Sequence, residues 1–583
     1  MEGYDGGAYP STIHPDEWMD LEVEIVGFRS PCGADGQSAP NSHVPSAPES
    51  AADMRLATSR LLRLAPIAAL AALLASCAAP APRQPAIKPT ETFDAAWEMV
   101  RDEHFDQSLN GVDWNAVRAE LRPRAAKARS AEELRGVLND MLARLGQSHF
   151  AIIPAGDEPP VPPAIADAGA TSPAPEKDDS GLEGIGARPT TSAPASNGPG
   201  ITGLDIALVE GEPTVLRVSP GLAASRAGVL TGWRLVSIDG INVNALLEPI
   251  RKALAAERNQ QSPQARKLRA TLALTAGELL VGNAGDVRRV VFADASGGEQ
   301  QVSLAFEPAP LGVTQFGNLP PFPIEVESRR IELPAQDGGA GGKPITIGVI
   351  SFNIWMTGAS DAIDRAVDSL RGCDGIVLDL RGNPGGIGAM SMGVAGHFLK
   401  EPASLGSMIG RESTLVFNAE PRKVSPDGKR VRPYATKPLA ILIDGRTAST
   451  SEVFAAGLQD LGRARVFGET SAGMALPARA SELPNGEVLL HAVADFVTSK
   501  GTRIEGRGVI PDEPVLPKRA ELLKGDDTAL SAAAKWIGGR TIEARTARAN
   551  SPTSSSGMPT PGLIPTAMPS TMPSTMPTAN PTP

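Results

Sequence analysis

The spacing of hydrophobic positions changes several times along the chain, and each change predicts a different kind of structure. Phe93, Trp97 and Val100 recur at three- and four-residue spacing, which predicts amphipathic helices. We therefore expect a helical cap domain over residues 90–153. In residues 154–199, Pro, Ala, Ser and Asp replace this periodicity, which predicts a disordered linker.

Short apolar runs bounded by turn residues predict strands in the rest of the chain. Residues 200–308 contain several such runs and form a separate β-rich unit. In residues 340–535, the apolar runs Ile345–Phe352, Ile376–Leu380 and Leu439–Ile443 predict buried strands that alternate with helices. This alternation predicts an α/β core, so the expected fold class is a multidomain α+β protein.

Composition limits the classes of function. The chain has 583 residues, which suggests several domains, and residues 545–583 are rich in Pro, Ser, Thr and Met, which predicts a disordered tail. A net charge of -11 without a block of Lys and Arg argues against a nucleic-acid partner. Three scattered Cys, no H-E-x-x-H motif and no Walker loop predict no metal and no other cofactor.

One apolar stretch bears on location. Residues 54–77 run from a basic start through an Ala- and Leu-rich segment to Leu-Ala-Ser-Cys, the layout of a secretory signal, and the run is too short to span a bilayer. Its ending resembles the bacterial lipobox, which implies a lipidated Cys77 and a periplasmic protein anchored to a membrane, the outer one. An apolar helix with a chance Cys is the alternative. Residues 1–53 would then be a doubtful extension, either upstream of a true start at Met54 or disordered.

A Ser just after a predicted strand is a candidate for chemistry. The segment Asp444–Glu452 joins the strand Leu439–Ile443 to a predicted helix, so Ser449 lies on a tight turn where the helix N-terminus favours negative charge. Such a Ser can act as a nucleophile. Ser449 with Glu452 is also a capping box, S-x-x-E, which would give both residues a structural role. The local sequence leaves both interpretations open.

The β-rich unit, residues 200–308, resembles a PDZ domain. The resemblance implies a groove in which a peptide adds as an extra strand along Gly203, Leu204, Asp205 and Ile206, through main-chain hydrogen bonds. A generic small β-domain is the alternative, and the span from Leu246 to about Gly285 predicts an insertion. The matching segments are Gly203-Leu-Asp-Ile206, Ser219-Pro-Gly221, Ala223-Ala-Ser-Arg-Ala-Gly228 and Ile238-Asp-Gly240.

The surroundings of Ser449 resemble the C-terminal-processing peptidases. In that family the Ser three positions before the Glu is the nucleophile, which is Ser449 here, while Ser451 is expected to face the helix start. The resemblance covers about residues 90–535 and implies a ClpP/crotonase-like catalytic core. Lys-type members carry their general base 25 positions after the nucleophile, but this chain has Met474 there, which cannot accept a proton. The matching segments are Thr447-Ala-Ser-Thr-Ser-Glu-Val-Phe-Ala-Ala456, Gln459-Asp460, Gly462-Arg-Ala464 and Gly468-Glu469.

The tricorn branch of this family uses a His instead, and its motifs have counterparts here. Its Ser-His pair matches Ser148-His149, and its Glu before a Gly-Val-x-Pro-Asp turn matches Glu505. The resemblance implies that His149 takes the proton of Ser449, that Ser148 orients the imidazole, and that Glu505 belongs to the surrounding polar network. Activity should then fall as the pH drops through about 6–7. A packed core histidine is the alternative interpretation of His149.

A glycine-rich loop supplies candidate donors for an oxyanion hole. The segment Asp379–Gly386 follows a predicted strand, and its glycines let backbone N–H groups approach a ligand. The resemblance implies that the N–H of Gly385 or Gly386 acts together with that of Thr450. A plain tight turn is the alternative.

Taken together, the resemblance implies a serine endopeptidase with a Ser-His-based mechanism that cuts exported proteins, with protein or peptide tails as substrates. A PDZ-containing peptide-binding scaffold that has lost hydrolysis is the main alternative, because the family's Lys is missing. An acyl-transferring or ester-cleaving enzyme on a related core is a third.

Overall fold

The computed structural model describes residues 88–154, 198–260, 262–315, 321–334 and 343–549. The predicted signal segment with Cys77, residues 1–53, and most of the predicted linker and tail lie outside these ranges. The described residues form helices and sheets in several units, which confirms the mixed, multidomain class. Among them, no helix is both long enough and apolar enough to cross a bilayer.

The described helices are α1 (Pro89–Glu103), α2 (Trp114–Ala125), α3 (Ala131–Ala143), α4 (Ala223–Arg226), α5 (Val243–Ala256), α6 (Pro263–Gly277), α7 (Thr357–Leu370), α8 (Met390–Gly396), α9 (Thr450–Asp460), α10 (Arg519–Leu522) and α11 (Thr528–Ala549), with a 3-10 turn at Leu109–Gly111. The described strands are β1 (Ala151–Ile153), β2 (Gly200–Ile201), β3 (Leu204–Val209), β4 (Glu212–Val218), β5 (Arg234–Ile238), β6 (Ile241–Asn242), β7 (Val287–Ala293), β8 (Glu299–Ala305), β9 (Glu307–Pro308), β10 (Val313–Thr314), β11 (Phe322–Pro323), β12 (Val326–Leu333), β13 (Ile345–Phe352), β14 (Gly375–Asp379), β15 (Ala403–Gly410), β16 (Thr414–Ala419), β17 (Leu439–Ile443), β18 (Arg465–Gly468), β19 (Ala478–Glu482), β20 (Val488–Ala492), β21 (Ala494–Thr498) and β22 (Glu513–Pro514).

The N-terminal helices pack on one another and are joined to the rest of the chain by a strand. Phe93, Trp97 and Val100 of α1 are buried against apolar residues of α2 and α3, as their helical spacing requires. Strand β1 then pairs antiparallel with β20, and Leu489 of β20 belongs to the same apolar cluster. Because β1 follows directly on the Ser148-His149 segment, this pairing anchors that segment against the core.

The β-rich unit is a sheet with the strand order β3-β4-β5-β7-β8, and β3 lies at its edge. The span where the sequence predicts an insertion holds α5 and α6. Leu272 and Ala276 of α6 are buried with Leu247 of α5, and Leu208 of β3 packs against them. Helix α6 therefore lies against the edge strand of this unit.

The core is a six-stranded sheet with the order β12-β13-β14-β17-β18-β22. Strands β13, β14, β17, β18 and β22 run parallel, and β12 is an antiparallel edge. Strands β13 and β17 have the predicted bounds, because their apolar runs are buried almost throughout. Asp379, the last residue of β14, pairs with Leu442, so the loops after β14 and β17 leave the same edge of the sheet. Ligand sites in parallel sheets form at such edges.

Two boundaries differ from the sequence-based expectation. The core sheet begins at β12, before residue 340, because the alternating charged pattern of this edge strand lacks a continuous apolar run. Helix α11 continues to Ala549, so residues 545–549 are helical although the sequence predicts a disordered tail from 545. Arg545 holds this last turn, since its guanidinium donates to Asp374 at 3.1 Å.

Candidate active site

Ser449 occupies a strained turn between β17 and α9. Its backbone angles are φ 53° and ψ −121°, which a residue with a side chain rarely adopts. Its N–H donates to the Met474 carbonyl at 2.8 Å and to Glu452 Oε2 at 3.0 Å. The side chain stays partly exposed between buried neighbours. The geometry is that of a strand-to-helix turn which presents one serine side chain.

Glu452 holds this turn from beneath. Besides the Ser449 N–H, its carboxyl accepts the Ser471 hydroxyl at 2.5 Å and the N–H groups of Gly473 and Met474 at 2.7 and 3.0 Å. Burial raises the pKa of Glu452 to about 7, and the four donors act against that shift. The capping contact between Glu452 and the Ser449 backbone is therefore real, and it also fixes the turn on which Ser449 lies.

Ser148, His149 and Glu505 form a hydrogen-bonded relay. Glu505 accepts the Ser148 N–H on Oε1 and the Ser148 hydroxyl on Oε2, both at 2.8 Å. Ser148 Oγ is also 2.8 Å from His149 Nδ1. Because the Ser148 proton points to the carboxylate, its oxygen must accept from Nδ1–H. This arrangement leaves Nε2 as the unprotonated nitrogen, which is the tautomer that a general base needs.

One short segment ties this relay to the Ser449 turn. The Ala475 N–H donates to Glu505 Oε2 at 3.0 Å, and the preceding residue, Met474, accepts the Ser449 N–H. The structure therefore brings Ser449, His149 and Glu505 to one place, although they are far apart in sequence. No hydrogen bond links His149 to Ser449 within the described ranges.

Burial controls the protonation of the relay. His149 is partly buried, and desolvation lowers its pKa to about 4, so the imidazole is neutral at physiological pH. This places its titration well below the range of about 6–7 that an unperturbed imidazole predicts. Burial raises the pKa of Glu505, and the donors from Ala475 and Ser148 oppose that rise.

The glycine-rich loop packs against the Ser449 turn, and its two candidate donors differ. The Gly385 N–H is used within the loop, donating to Asn383 Oδ1 at 2.9 Å. In the part of the chain that is described, the N–H groups of Gly386 and Thr450 have no hydrogen-bond partner. The Thr450 hydroxyl donates to the Gly386 carbonyl at 2.7 Å and holds the two segments together. Gly386 and Thr450 thus carry free donors beside Ser449.

The predicted peptide strand of the β-rich unit faces the core. Arg446 donates from Nη1 to Asp205 Oδ1 at 2.6 Å and to the Ile206 carbonyl at 2.8 Å. Leu204 is partly buried, and a Cβ on Gly203 would lie 2.6 Å from the side chain of Leu222. In this structure, part of the edge predicted to take a peptide is therefore bonded to the core.

Arg446 itself was not identified from the sequence. Its guanidinium also donates to Asp444 Oδ2 from Nε and Nη2, at 2.9 and 2.6 Å, and the Asp444 carboxyl accepts the Gly382 N–H at 3.0 Å. Only 6% of the Arg446 side chain is exposed. The sequence shows Asp444 and Arg446 close together just before Ser449, but it does not show that Arg446 also pairs with Asp205.

Two other residues near Ser449 are placed by packing. Ser451, expected to face the helix start, is fully buried, and its oxygen accepts the Trp355 indole N–H at 2.8 Å. This separates it from Ser449, whose side chain is partly exposed. Met474 packs on the apolar cluster of Ala270, Ala448 and Ala472. Ala270 belongs to α6, so the β-rich unit reaches the Ser449 turn.

Comparisons with known families match two parts of the chain. Residues 346–515 match the model of peptidase family S41, and residues 85–143 match the tricorn protease C1 domain. The first range contains Ser449 and Glu505, and the second ends shortly before His149.

Among curated relatives, carboxyl-terminal-processing peptidase 2 (chloroplastic) of Arabidopsis thaliana is 27% identical over 435 residues, 73% of this chain and 68% of the relative. The carboxyl-terminal-processing protease of Picosynechococcus is 32% identical over 172 residues, 29% of this chain. The chain spans 39% of that relative's length. Among solved structures, the photosystem II D1 C-terminal processing protease is 20% identical with a TM-score of 0.43, covering 76% of this chain and 98% of the other.

Proposed function

The chain belongs to the serine peptidases of family S41, and we propose that it is an endopeptidase in which Ser449 is the nucleophile and His149 the general base. One observation carries the proposal. Glu505 holds both the N–H and the hydroxyl of Ser148, and Ser148 in turn holds Nδ1 of His149. This relay supplies an oriented, neutral imidazole in a family whose Lys-type base is replaced here by Met474.

The reaction follows from these positions. Ser449 Oγ attacks the carbonyl carbon of the scissile bond while His149 Nε2 takes its proton, and the same proton passes to the leaving amine. The charge on the imidazolium is balanced through Ser148 by the Glu505 carboxylate. The N–H groups of Gly386 and Thr450 stabilise the oxyanion. Water then releases the acyl group by the same steps, again with His149 as base.

Loss of the nucleophile tests this proposal most simply. The full chain is incubated with an unfolded exported protein, and the cut sites are mapped by mass spectrometry. We expect Ser449→Ala to abolish cleavage and His149→Ala to cost nearly as much, because such residues act as a unit. Near-normal turnover by Ser449→Ala would contradict the assignment, and absence of cleavage by the unaltered chain would favour a peptide-binding scaffold.

Substrate selection is the finer part of the proposal. We propose that residues 200–308 act as a PDZ domain that binds protein tails along β3, and that the core has a ClpP/crotonase-like arrangement. A peptide with a photoreactive group should then cross-link to Gly203–Ile206, more strongly with a free carboxylate than with an amidated end. Cross-links confined to the surroundings of Ser449 would contradict a separate recognition site.

Location is a separate proposal, based on residues 54–77. We propose that the mature enzyme begins at a lipidated Cys77 and faces the periplasm from the outer membrane, where more than one acyl chain makes the anchoring stable. Cys77→Ser should shift the protein from the membrane fraction to the soluble one. Equal solubility of both forms, or residues 1–53 on the mature protein, would contradict this.

A further inference from the structure

Helix α6 belongs to the β-rich unit, yet it runs along the catalytic segments. Ala270 packs with Ala448 and Met474, on either side of the Ser449 turn. One turn on, the Ala273 methyl lies 3.4 Å from the position that a Cβ on Gly445 would take. The contacts recur at the three- and four-residue spacing of one helix face.

At the start of this face, two consecutive basic residues reach the segments that hold the relay. Lys267 Nζ donates to the Gln147 carbonyl at 3.1 Å, and Arg266 Nε donates to the Gly506 carbonyl at 2.6 Å. Gln147 directly precedes Ser148, and Gly506 directly follows Glu505. The two bonds therefore hold the residues next to Ser148 and next to Glu505, one on each of the two segments that form the pair.

The relay turn needs such support. His149 has a φ of 59°, a left-handed conformation that a residue with a side chain adopts at a cost and keeps only when its surroundings impose it. Ser148 is held by Glu505, and β1 holds the chain after the turn, whereas the carbonyl before the turn is held from α6. Lys267 donates an N–H in this contact, since a carbonyl accepts and does not donate, and burial lowers the pKa of its amine.

We propose that Lys267, with Arg266 beside it, is a positioning residue that fixes the Ser148-His149 turn from the β-rich unit. The unit then completes the catalytic site as well as selecting substrates. This inference rests on the proposed function only where it concerns turnover, because the order of the turn can be measured without any activity. Lys267 touches no reacting atom, so its loss should lower kcat and leave KM unchanged.

The test compares Lys267→Met and Lys267→Arg with the matched control Arg269→Met in the full chain. Arg269 lies on the same helix and bonds to Gln260, away from the relay. Two readouts are taken: kcat and KM on a short fluorogenic peptide, and amide hydrogen exchange of the segment 144–150.

We expect Lys267→Met to lower kcat about tenfold or more with KM within about twofold, and to speed exchange in 144–150. Lys267→Arg keeps a donor and should retain most activity, and Arg269→Met should match the unaltered protein. Unchanged kcat and exchange in Lys267→Met would overturn the inference. So would Lys267→Arg as inactive as Lys267→Met, because Arg cannot lose its proton and the result would make Lys267 a base. If the unaltered chain cleaves no peptide but Lys267→Met still exchanges faster in 144–150, the proposed function is refuted and the positioning role is retained.

Discussion

At the scale of single residues, a serine hydroxyl stands between the carboxylate and the imidazole. Ser148 accepts from His149 Nδ1 and donates to Glu505, so the negative charge reaches the imidazole through one intervening hydroxyl. In a direct Ser-His-Asp arrangement the carboxylate bonds the imidazole itself. Here orientation of the imidazole depends on the positions of three groups, the imidazole, the hydroxyl and the carboxylate, rather than on the imidazole and carboxylate alone.

The pH dependence follows from the burial of His149. A base works only when unprotonated, and desolvation lowers the pKa of His149 to about 4. We therefore expect His149 to remain an active base as the pH falls from 7 to 5, and kcat/KM to be lost as the pH falls through about 4. The measurement is kcat/KM on a short peptide amide across this range, in the unaltered chain and in Glu452→Gln, because the Glu452 carboxyl has a pKa of about 7. A half-maximum near 6.5 in both proteins would mean an exposed imidazole, and one far above 7 would mean a Lys base.

Removal of the Ser148 hydroxyl tests whether it orients the His149 imidazole or only stabilises the fold. Ser148→Ala leaves His149 Nδ1 and Glu505 without their common partner, so we expect kcat to fall by roughly a hundredfold, within the range of general acid–base catalysis. Ser451→Ala removes another buried hydroxyl close to Ser449, and there kcat should change little. Steady-state kinetics at saturating peptide would measure kcat of both variants. Equal losses in the two variants would show that any hydroxyl removal near Ser449 disturbs the site.

At the scale of elements, two loops at the same edge of the parallel sheet meet at Ser449. The loop after β14 carries Gly385 and Gly386, and the loop after β17 carries Ser449. A Cβ on Gly386 would lie 2.2 Å from the Trp355 carbonyl oxygen, and one on Gly385 would lie 2.6 Å from the Ser449 Cβ. The Gly385 contact shows how closely the two loops approach, whereas Gly386 is crowded by Trp355, which follows β13. Neither glycine has room for a side chain.

This close approach predicts a strong effect of one methyl group. Gly385→Ala should push the Ser449 turn out of place, at a φ of +105° that already disfavours a side chain, and lower kcat/KM about a hundredfold. Gly372→Ala is the control, since nothing lies within 4 Å of its added Cβ. Melting temperature and peptidase rate are measured for both. Full activity of Gly385→Ala would contradict the contact between the loops.

The sequence predicted the elements that are buried on both faces and the motifs that are local. Strand β17 is an unbroken apolar run, β13 is interrupted only by Thr346, Gly348 and Ser351, and the Ser449 turn lies within one short motif, so the sequence predicted all three. Strand β12 was missed because its charged alternation is that of an edge. Lys267 and Arg446 could not be found, since their partners Gln147 and Asp205 are more than a hundred residues away and only the fold brings them together.

At the scale of the whole molecule, buried ion pairs join the β-rich unit to the core. Arg446 pairs with Asp205 of β3 and with Asp444, next to the Ser449 turn, and all three side chains are at least 84% buried. Burial and the guanidinium oppose each other at Asp205, and the guanidinium prevails, so the pKa of Asp205 is lowered. The units therefore share charges that neither could bury alone.

Removal of the shared cation should destabilise the whole assembly. Arg446→Met leaves the buried Asp444 carboxylate without its cation and Asp205 with only Arg217, at 3.6 Å, so we expect the free energy of unfolding to fall by about 3–5 kcal/mol. Arg124→Met breaks an exposed pair with Asp140, where each side chain is more than half exposed, and should cost less than about 1 kcal/mol. Urea denaturation measures both. Similar losses in the two variants would mean that the buried pairs do not link the units.

The central claim is that Ser449 is a nucleophile activated by His149 through the Ser148–Glu505 relay. The most direct measurement is the rate and site of reaction with a fluorophosphonate, because an activated serine attacks its phosphorus and displaces fluoride, and the probe needs no knowledge of the substrate. We predict a single adduct on Ser449 by peptide mapping, absent in Ser449→Ala and formed far more slowly in His149→Ala. An adduct on another serine, or an unchanged rate in His149→Ala, would contradict the claim.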